Sequence, residues 1–287
     1  MSTRVVVASD GTDLSVRVSG LERGPTLLLC DGIGCDGYVW KYIRRAFEPH
    51  FRVIHFHYRG HGLSAVPTDF ASLTIEHCAK DAWEVLDACG VHEVILWGHS
   101  MGVQVILEAA HMHPDRVRAV LPMCGAFERP LDTLGGGAGV RLLPLISSAI
   151  FARPDTLRRL WRKWVPTELA YKVAVATEIN ARMIQRDDFS PYLDHLGRMD
   201  PVDFVRMLDN LANHTTRPLL PSIEAPALVI AGARDNMTPS HLSEELAHLL
   251  PHSDLLVVPA GSHTAPIELP DLVTLRAERF FRAHGII

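Results

Sequence analysis

The chain has 287 residues, 47% of them hydrophobic and 21% charged, with a formal net charge of −5 at pH 7. That balance is ordinary for a globular protein and excludes a disordered or collagen-like chain. With a pI of about 6.3 and no basic block, nucleic acid is not an expected partner.

Two short runs, Val5–Ala8 and Leu14–Val18, flank Asp10-Gly11-Thr12, which is a hairpin signal. Thr26–Cys30, Val53–Phe56 and Val94–Trp97 are continuous apolar runs, as expected of parallel strands buried on both faces. Between the last two, Ile75, Cys78, Ala82, Val85, Leu86 and Cys89 keep helical spacing, with Gly90 as a stop. A second helix is predicted from Ser100 to His113, ending before Pro114. Val117–Leu121 is the next strand. Residues 128–220 are rich in Arg and Leu at helical spacing, with no clear strand. Strand signals return at Ala227–Ala231 and Leu255–Val258, separated by a helical stretch at Ser240–Leu250. Ile267–His284 reads as one final amphipathic helix. The alternation predicts an α/β fold: a mostly parallel sheet flanked by helices, residues 1–127 and 221–287, interrupted by a helical insertion at 128–220.

The five cysteines are an odd set with no CxxC pair. They read as small apolar residues in a reducing compartment, so a cytoplasmic location is expected. Met1–Gly11 shows no cationic stretch followed by an apolar run, so no signal peptide is expected. No uncharged apolar run reaches 18 residues, so no membrane span is expected. Neither an HExxH spacing nor a GxGxxG after a strand occurs, so neither metal nor nucleotide cofactor is implied. His55, His57, His111 and His113 read as strand and helix-end residues.

The strongest chemical signal is Gly98-His99-Ser100-Met101-Gly102, directly after the apolar run Val94–Trp97 and before a helix. A serine on such a strand-turn-helix corner is exposed, and glycines two before and two after relieve the crowding there. A hydroxyl needs a base to take its proton, and the base needs a group to fix its tautomer. His263, in Pro259-Ala260-Gly261-Ser262-His263, follows the last strand. Asp235, in Gly232-Ala233-Arg234-Asp235-Asn236, follows the strand before it. The carboxyl ends of the strands are where an open α/β sheet builds its site. Glu128, after the strand at Val117–Leu121, is the competing acid. Asp235 also suits a plain Asx turn.

On these motifs the sequence resembles the α/β-hydrolase superfamily over essentially its whole length. Tyr58-Arg59-Gly60-His61-Gly62-Leu63-Ser64, His113-Pro114-Asp115-Arg116-Val117 and Pro226–Gly232 are further family-like stretches. The resemblance implies a catalytic triad of Ser100, Asp235 and His263. It also implies an oxyanion hole from the backbone N–H groups of Met101 and Ile33. The implied reaction is hydrolysis of a small carboxylic ester or lactone with an apolar part. The same triad also serves C–C bond hydrolysis, amide cleavage or acyl transfer, and the fold can serve as a low-turnover receptor. Two departures stand out: Asp31 where the family usually has His, and His57 where it often has Asp. They either preserve a cross-strand pairing with the charges exchanged or are unrelated substitutions. The insertion is expected to cover the site as a cap. Gly135-Gly136-Gly137 give it a flexible start, and Leu142, Leu143, Leu145, Ile146, Ile150, Trp161, Trp164 and Tyr171 supply its apolar surface. Arg153, Arg158, Arg159, Arg162 and Lys163 read as a solvated helix face.

Overall fold

The computed structural model describes residues 2–133, 138–165, 167–169, 171–172, 179–180 and 182–287, with the side chains of 138–142, 146 and 149 left undescribed. Gly135–Gly137 and the side chains of Leu142 and Ile146 therefore lie outside the described residues.

The strands are β1 (Ser2–Val7), β2 (Asp13–Gly20), β3 (Thr26–Cys30), β4 (Arg52–Phe56), β5 (Val94–His99), β6 (Val117–Met123), β7 (Ala227–Gly232) and β8 (Ser253–Val258). They form one eight-stranded sheet in the order β1-β2-β4-β3-β5-β6-β7-β8. β1 and β2 are an antiparallel hairpin, and β2 lies antiparallel to β4. From β4 to β8 every pairing is parallel. The central strands β3 and β5 are buried along their whole length, which is why they read as unbroken apolar runs.

Helices cover both faces. One face packs α2 (Ile75–Ala88) and α3 (Met101–Met112) on the sheet. The other packs α1 (Lys41–Phe47) and a cluster of Trp40, Phe47, Phe51, Trp97 and Phe281. The Thr74 side chain caps α2 by accepting from the backbone N–H of His77, as its position before the periodic run suggests. Arg59 is buried and forks onto Asp81 of α2, with Nη2 2.6 Å from Oδ1 and Nε 2.8 Å from Oδ2. That pair ties the turn after β4 to the helix. All five cysteines are buried.

Between β6 and β7 the described residues form α4 (Ala138–Ala152), α5 (Pro154–Trp164), α6 (Arg186–Arg198) and α7 (Pro201–Asn213). The two ends of this segment meet at an isolated bridge between Glu128 and Thr215. α5 buries none of its residues, and Arg158 pairs with Asp155 and Asp200, so its cationic face is solvated. Leu143 packs inside the segment, against Leu131 and Ala212.

α8 (Ser240–Leu249) joins β7 to β8. The last predicted helix, Ile267–His284, is in fact two: α9 (Ala265–Glu268) and α10 (Pro270–Ala283). The break is at Leu269, with φ −133° and ψ 59°. The proline ring that follows disfavours α geometry there, and Pro270 opens the new helix. No helix among the described residues is long and apolar enough to cross a membrane.

Candidate active site

Ser100 sits between the end of β5 and the start of α3. Its backbone is strained, at φ 55° and ψ −118°. The corner can be this sharp because no side chain intervenes where β5, α3 and β3 touch. A Cβ on Gly98 would stand 2.2 Å from the Gly102 carbonyl oxygen, and one on Gly102 would stand 2.2 Å from that of Cys30. The Ser100 N–H donates to the Met123 carbonyl at 3.0 Å, which fixes the corner to β6.

Asp235 and His263 come from the turns after β7 and β8, and these turns are also in close contact. The Arg234 N–H donates to the Gly261 carbonyl at 2.8 Å. A Cβ on Gly232 would lie 2.3 Å from the Ser262 carbonyl oxygen. The outcome is a continuous line of side chains. His263 Nε2 is 2.9 Å from Ser100 Oγ, and His263 Nδ1 is 2.9 Å from Asp235 Oδ2. Asp235 Oδ1 accepts from the N–H groups of Met237 and Thr238, both at 2.8 Å. Thr238 Oγ1 donates to Oδ2 at 2.8 Å. So the Asx turn and the contact with histidine coexist on one carboxylate, one oxygen for each. Burial pulls the Asp235 carboxyl up. The facing His263 and the bonds from Thr238 outweigh this and hold it below the usual carboxylate range.

Glu128 does not join this line. Its Oε1 takes two bonds from Arg217, and its Oε2 accepts from Thr215. It closes the neck of the 128–220 segment instead.

The loop Cys30–Gly34 lies against the corner. A Cβ on Gly32 would be 3.1 Å from Ser100 Cβ and 3.3 Å from His99 Nδ1. Ile33 follows Gly32 in this loop and is half-buried, and Met101 follows Ser100 at the first position of α3. Over this loop comes the 128–220 segment: a Cβ on Gly34 would meet Leu196 Cδ1 at 2.8 Å and Phe204 Cε2 at 3.2 Å. These two, on α6 and α7, reach the loop where Leu143 does not.

Asp31 does have a partner on the neighbouring strand, but it is His55 and not His57. His55 Nε2 is 2.8 Å from Asp31 Oδ2, and Trp40 Nε1 donates to Oδ1 at 2.6 Å. Strand alternation explains the slip, because residues two apart share a face. His57 Nδ1 instead accepts the Leu63 N–H at 2.8 Å. Burial pushes the His57 imidazole down to about 4.

Two residues that the motifs did not single out bear on His263. His99 Nε2 is 2.9 Å from the His263 carbonyl oxygen. A carbonyl can only accept, so that nitrogen carries the proton. Burial pushes His99 down to about 4, which keeps the ring neutral. Glu268 takes bonds from Ser262 and Thr264, on both sides of His263. No spacing rule marks Glu268 in the sequence, since its partners are polar loop residues of ordinary type, Ser262 and Thr264 nearby and Asn180 far along the chain.

A profile of the α/β hydrolase fold matches residues 25–139. The crystal structure of the enol-lactonase from Burkholderia xenovorans LB400 superposes with a TM-score of 0.75 at 22% identity, covering 97% of this chain and 100% of that one. Residues 25–139 thus match the α/β-hydrolase family, and the chain as a whole has the α/β-hydrolase fold. The chain is 28% identical over 260 residues to RutD of Agrobacterium fabrum, named for carbamate hydrolysis, with 90% of this chain and 93% of RutD covered. It is 29% identical over 245 residues to the polyketide synthase ThaQ of Burkholderia thailandensis, where 84% of this chain spans 11% of that protein's length. No group of His, Cys, Asp and Glu among the described residues could hold a metal ion.

Proposed function

We propose that this protein is a serine hydrolase of carboxylic esters or lactones that works through an acyl-enzyme. The observation that carries the reading is the line Asp235–His263–Ser100, with both hydrogen-bond distances at 2.9 Å, ending on a serine at φ 55°. Those distances lie inside the reach a general base needs.

Ser100 Oγ attacks the substrate carbonyl carbon as His263 Nε2 takes the hydroxyl proton. Asp235, ionised and held by Thr238 and Met237, fixes the proton on Nδ1 and stabilises the imidazolium. The N–H groups of Met101 and Ile33 hold the oxyanion. The tetrahedral adduct collapses, the C–O bond breaks, and His263 returns the proton to the leaving alcohol. Water, deprotonated by His263, then attacks the acyl carbon and releases the acid. In a lactone the leaving alcohol stays tethered to the acyl group. The relative named for carbamate hydrolysis supports a hydrolytic reading. We read residues 128–220 as a cap whose Leu196 and Phe204 border the substrate beside the oxyanion loop.

The test joins a chemical label to a substrate panel. A fluorophosphonate should add one mass increment at Ser100. Short chromogenic esters, lactones, carbamates and a diketone are then assayed with wild type and Ser100→Ala. Ester or lactone turnover that vanishes in the variant is expected. A label on another residue, or faster turnover of the diketone than of any ester, overturns the reading.

A further inference from the structure

The turn that carries His263 has no regular structure of its own. Ala260 sits at φ +60°, in the region that L-residues disfavour. Besides the Arg234 N–H on the Gly261 carbonyl, a buried carboxylate from α9 secures the turn. Glu268 Oε2 accepts the Ser262 N–H at 2.6 Å, and Oε1 accepts from the Ser262 hydroxyl and, at 3.0 Å, from Thr264 Oγ1. Glu268 thus grips the residue before His263 and the residue after it.

A further donor comes from the 128–220 segment. The Asn180 N–H donates to Glu268 Oε1 at 2.7 Å, and Asn180 Nδ2 donates to the Ala260 carbonyl at 3.0 Å. One asparagine therefore holds both the carboxylate that grips the turn and the strained residue within it. An apolar side chain could fill the space of Glu268 without the cost of burying a charge. What the carboxylate adds is directed, charge-assisted bonding to the backbone beside His263.

Resting on the hydrolase reading above, we propose that Asn180 and Glu268 are positioning residues for His263. Together they form a strut that couples the seating of the 128–220 segment to the alignment of the base. With the segment seated, Asn180 completes the set of donors and Nε2 stays in line with Ser100 Oγ. Without the Asn180 bonds, Glu268 loses a donor, the Ala260 carbonyl loses that partner, and the imidazole drifts. A displacement of about 1 Å in a catalytic group costs about 10²-fold in rate.

The test compares wild type, Asn180→Ala, Glu268→Gln and the double variant. kcat and KM are measured on a turned-over ester, with active sites counted by fluorophosphonate titration. Glu268→Gln should lower kcat per titrated site by about 10–100-fold with KM within about twofold. Asn180→Ala should lower kcat less, and the double variant should be no worse than Glu268→Gln, because both act through one turn. Fewer titratable sites at unchanged kcat per site would mean a role in folding only and would overturn the proposal. So would losses that simply add. A second readout needs no turnover: the NMR signal of the His263 ring proton shared with Asp235. It should be sharp in wild type and broadened in both single variants. An unchanged signal in both overturns the strut. Wild type that resists the fluorophosphonate counts against the hydrolase reading instead, and leaves the NMR comparison to decide the strut.

Discussion

Ser100 and His263 lie 2.9 Å apart, Oγ to Nε2, yet the turns that carry them are built differently. The serine corner is held by backbone against backbone: Gly98 against Gly102, Gly102 against Cys30, and the Ser100 N–H on Met123. The histidine turn also has backbone contacts, Arg234 N–H on Gly261 and Gly232 against Ser262, but it depends in addition on the side chains of Glu268, Asn180 and His99. A corner built from close-packed backbone cannot relax without moving the sheet. A turn held by side-chain bonds can shift when one donor leaves. Ser100 is thus the fixed point of the site and His263 the adjustable one.

The largest effect should come from removing the fixed point chemically. Ser100→Ala should cut kcat by about 10⁶-fold, as loss of a triad serine does elsewhere, with a melting temperature near wild type. Stopped assays on titrated protein and a melting curve check both halves. Next is the group that fixes the tautomer of the base. Asp235→Asn should cost about 10⁴-fold in kcat. Glu128→Gln should leave kcat within a few fold, since its partners are Arg217 and Thr215. The reverse order would reassign the acid.

The rigidity of the corner can be broken directly. Gly98→Ala forces a Cβ to 2.2 Å from the Gly102 carbonyl oxygen. It should lower kcat by about 10²-fold and stability by about 1–3 kcal/mol, read by kinetics and by urea unfolding. If the variant keeps wild-type rate and stability, the corner is not the fixed point. Substrate choice should be governed away from both turns. Phe204→Ala should change the ratio of kcat/KM between a short and a long acyl ester by about 10-fold or more. A common factor across all chain lengths would show that this residue does not select.

Acid should reach the molecule through its buried imidazoles. Burial pushes His57, His61 and His99 each down to about 4. Their unfolded value is about 6.5. The unfolded chain binds those protons first, so this contribution is fully present above pH 6.5 and is lost as pH falls towards 4. Urea midpoints should fall steeply across that window. His61→Asn should flatten the slope, and a slope that stays flat in wild type would mean these rings are charged in the folded state.

Much of this protein was legible in its sequence. Short-range chemistry sets the buried strands, the α2 cap at Thr74 and the Gly98–Gly102 corner, because each depends on residues next to one another in the chain. Ser100, Asp235 and His263 each stand directly after a strand, so a parallel sheet alone brings their turns to one edge. The break at Leu269 is itself a local effect of Pro270, hidden in the sequence only by a continuous amphipathic period. Other features needed three dimensions. Asp31 pairs with His55 because register, set across strands, decides which imidazole faces it. Leu143 packs into its own segment while Leu196 and Phe204 reach the Cys30–Gly34 loop, a choice made by how the helices lie on the sheet. The grip of Glu268 and Asn180 on the His263 turn joins residues 88 positions apart through hydrogen bonds between common polar groups. Such bonds have no period and no spacing, so only the folded chain could bring them together.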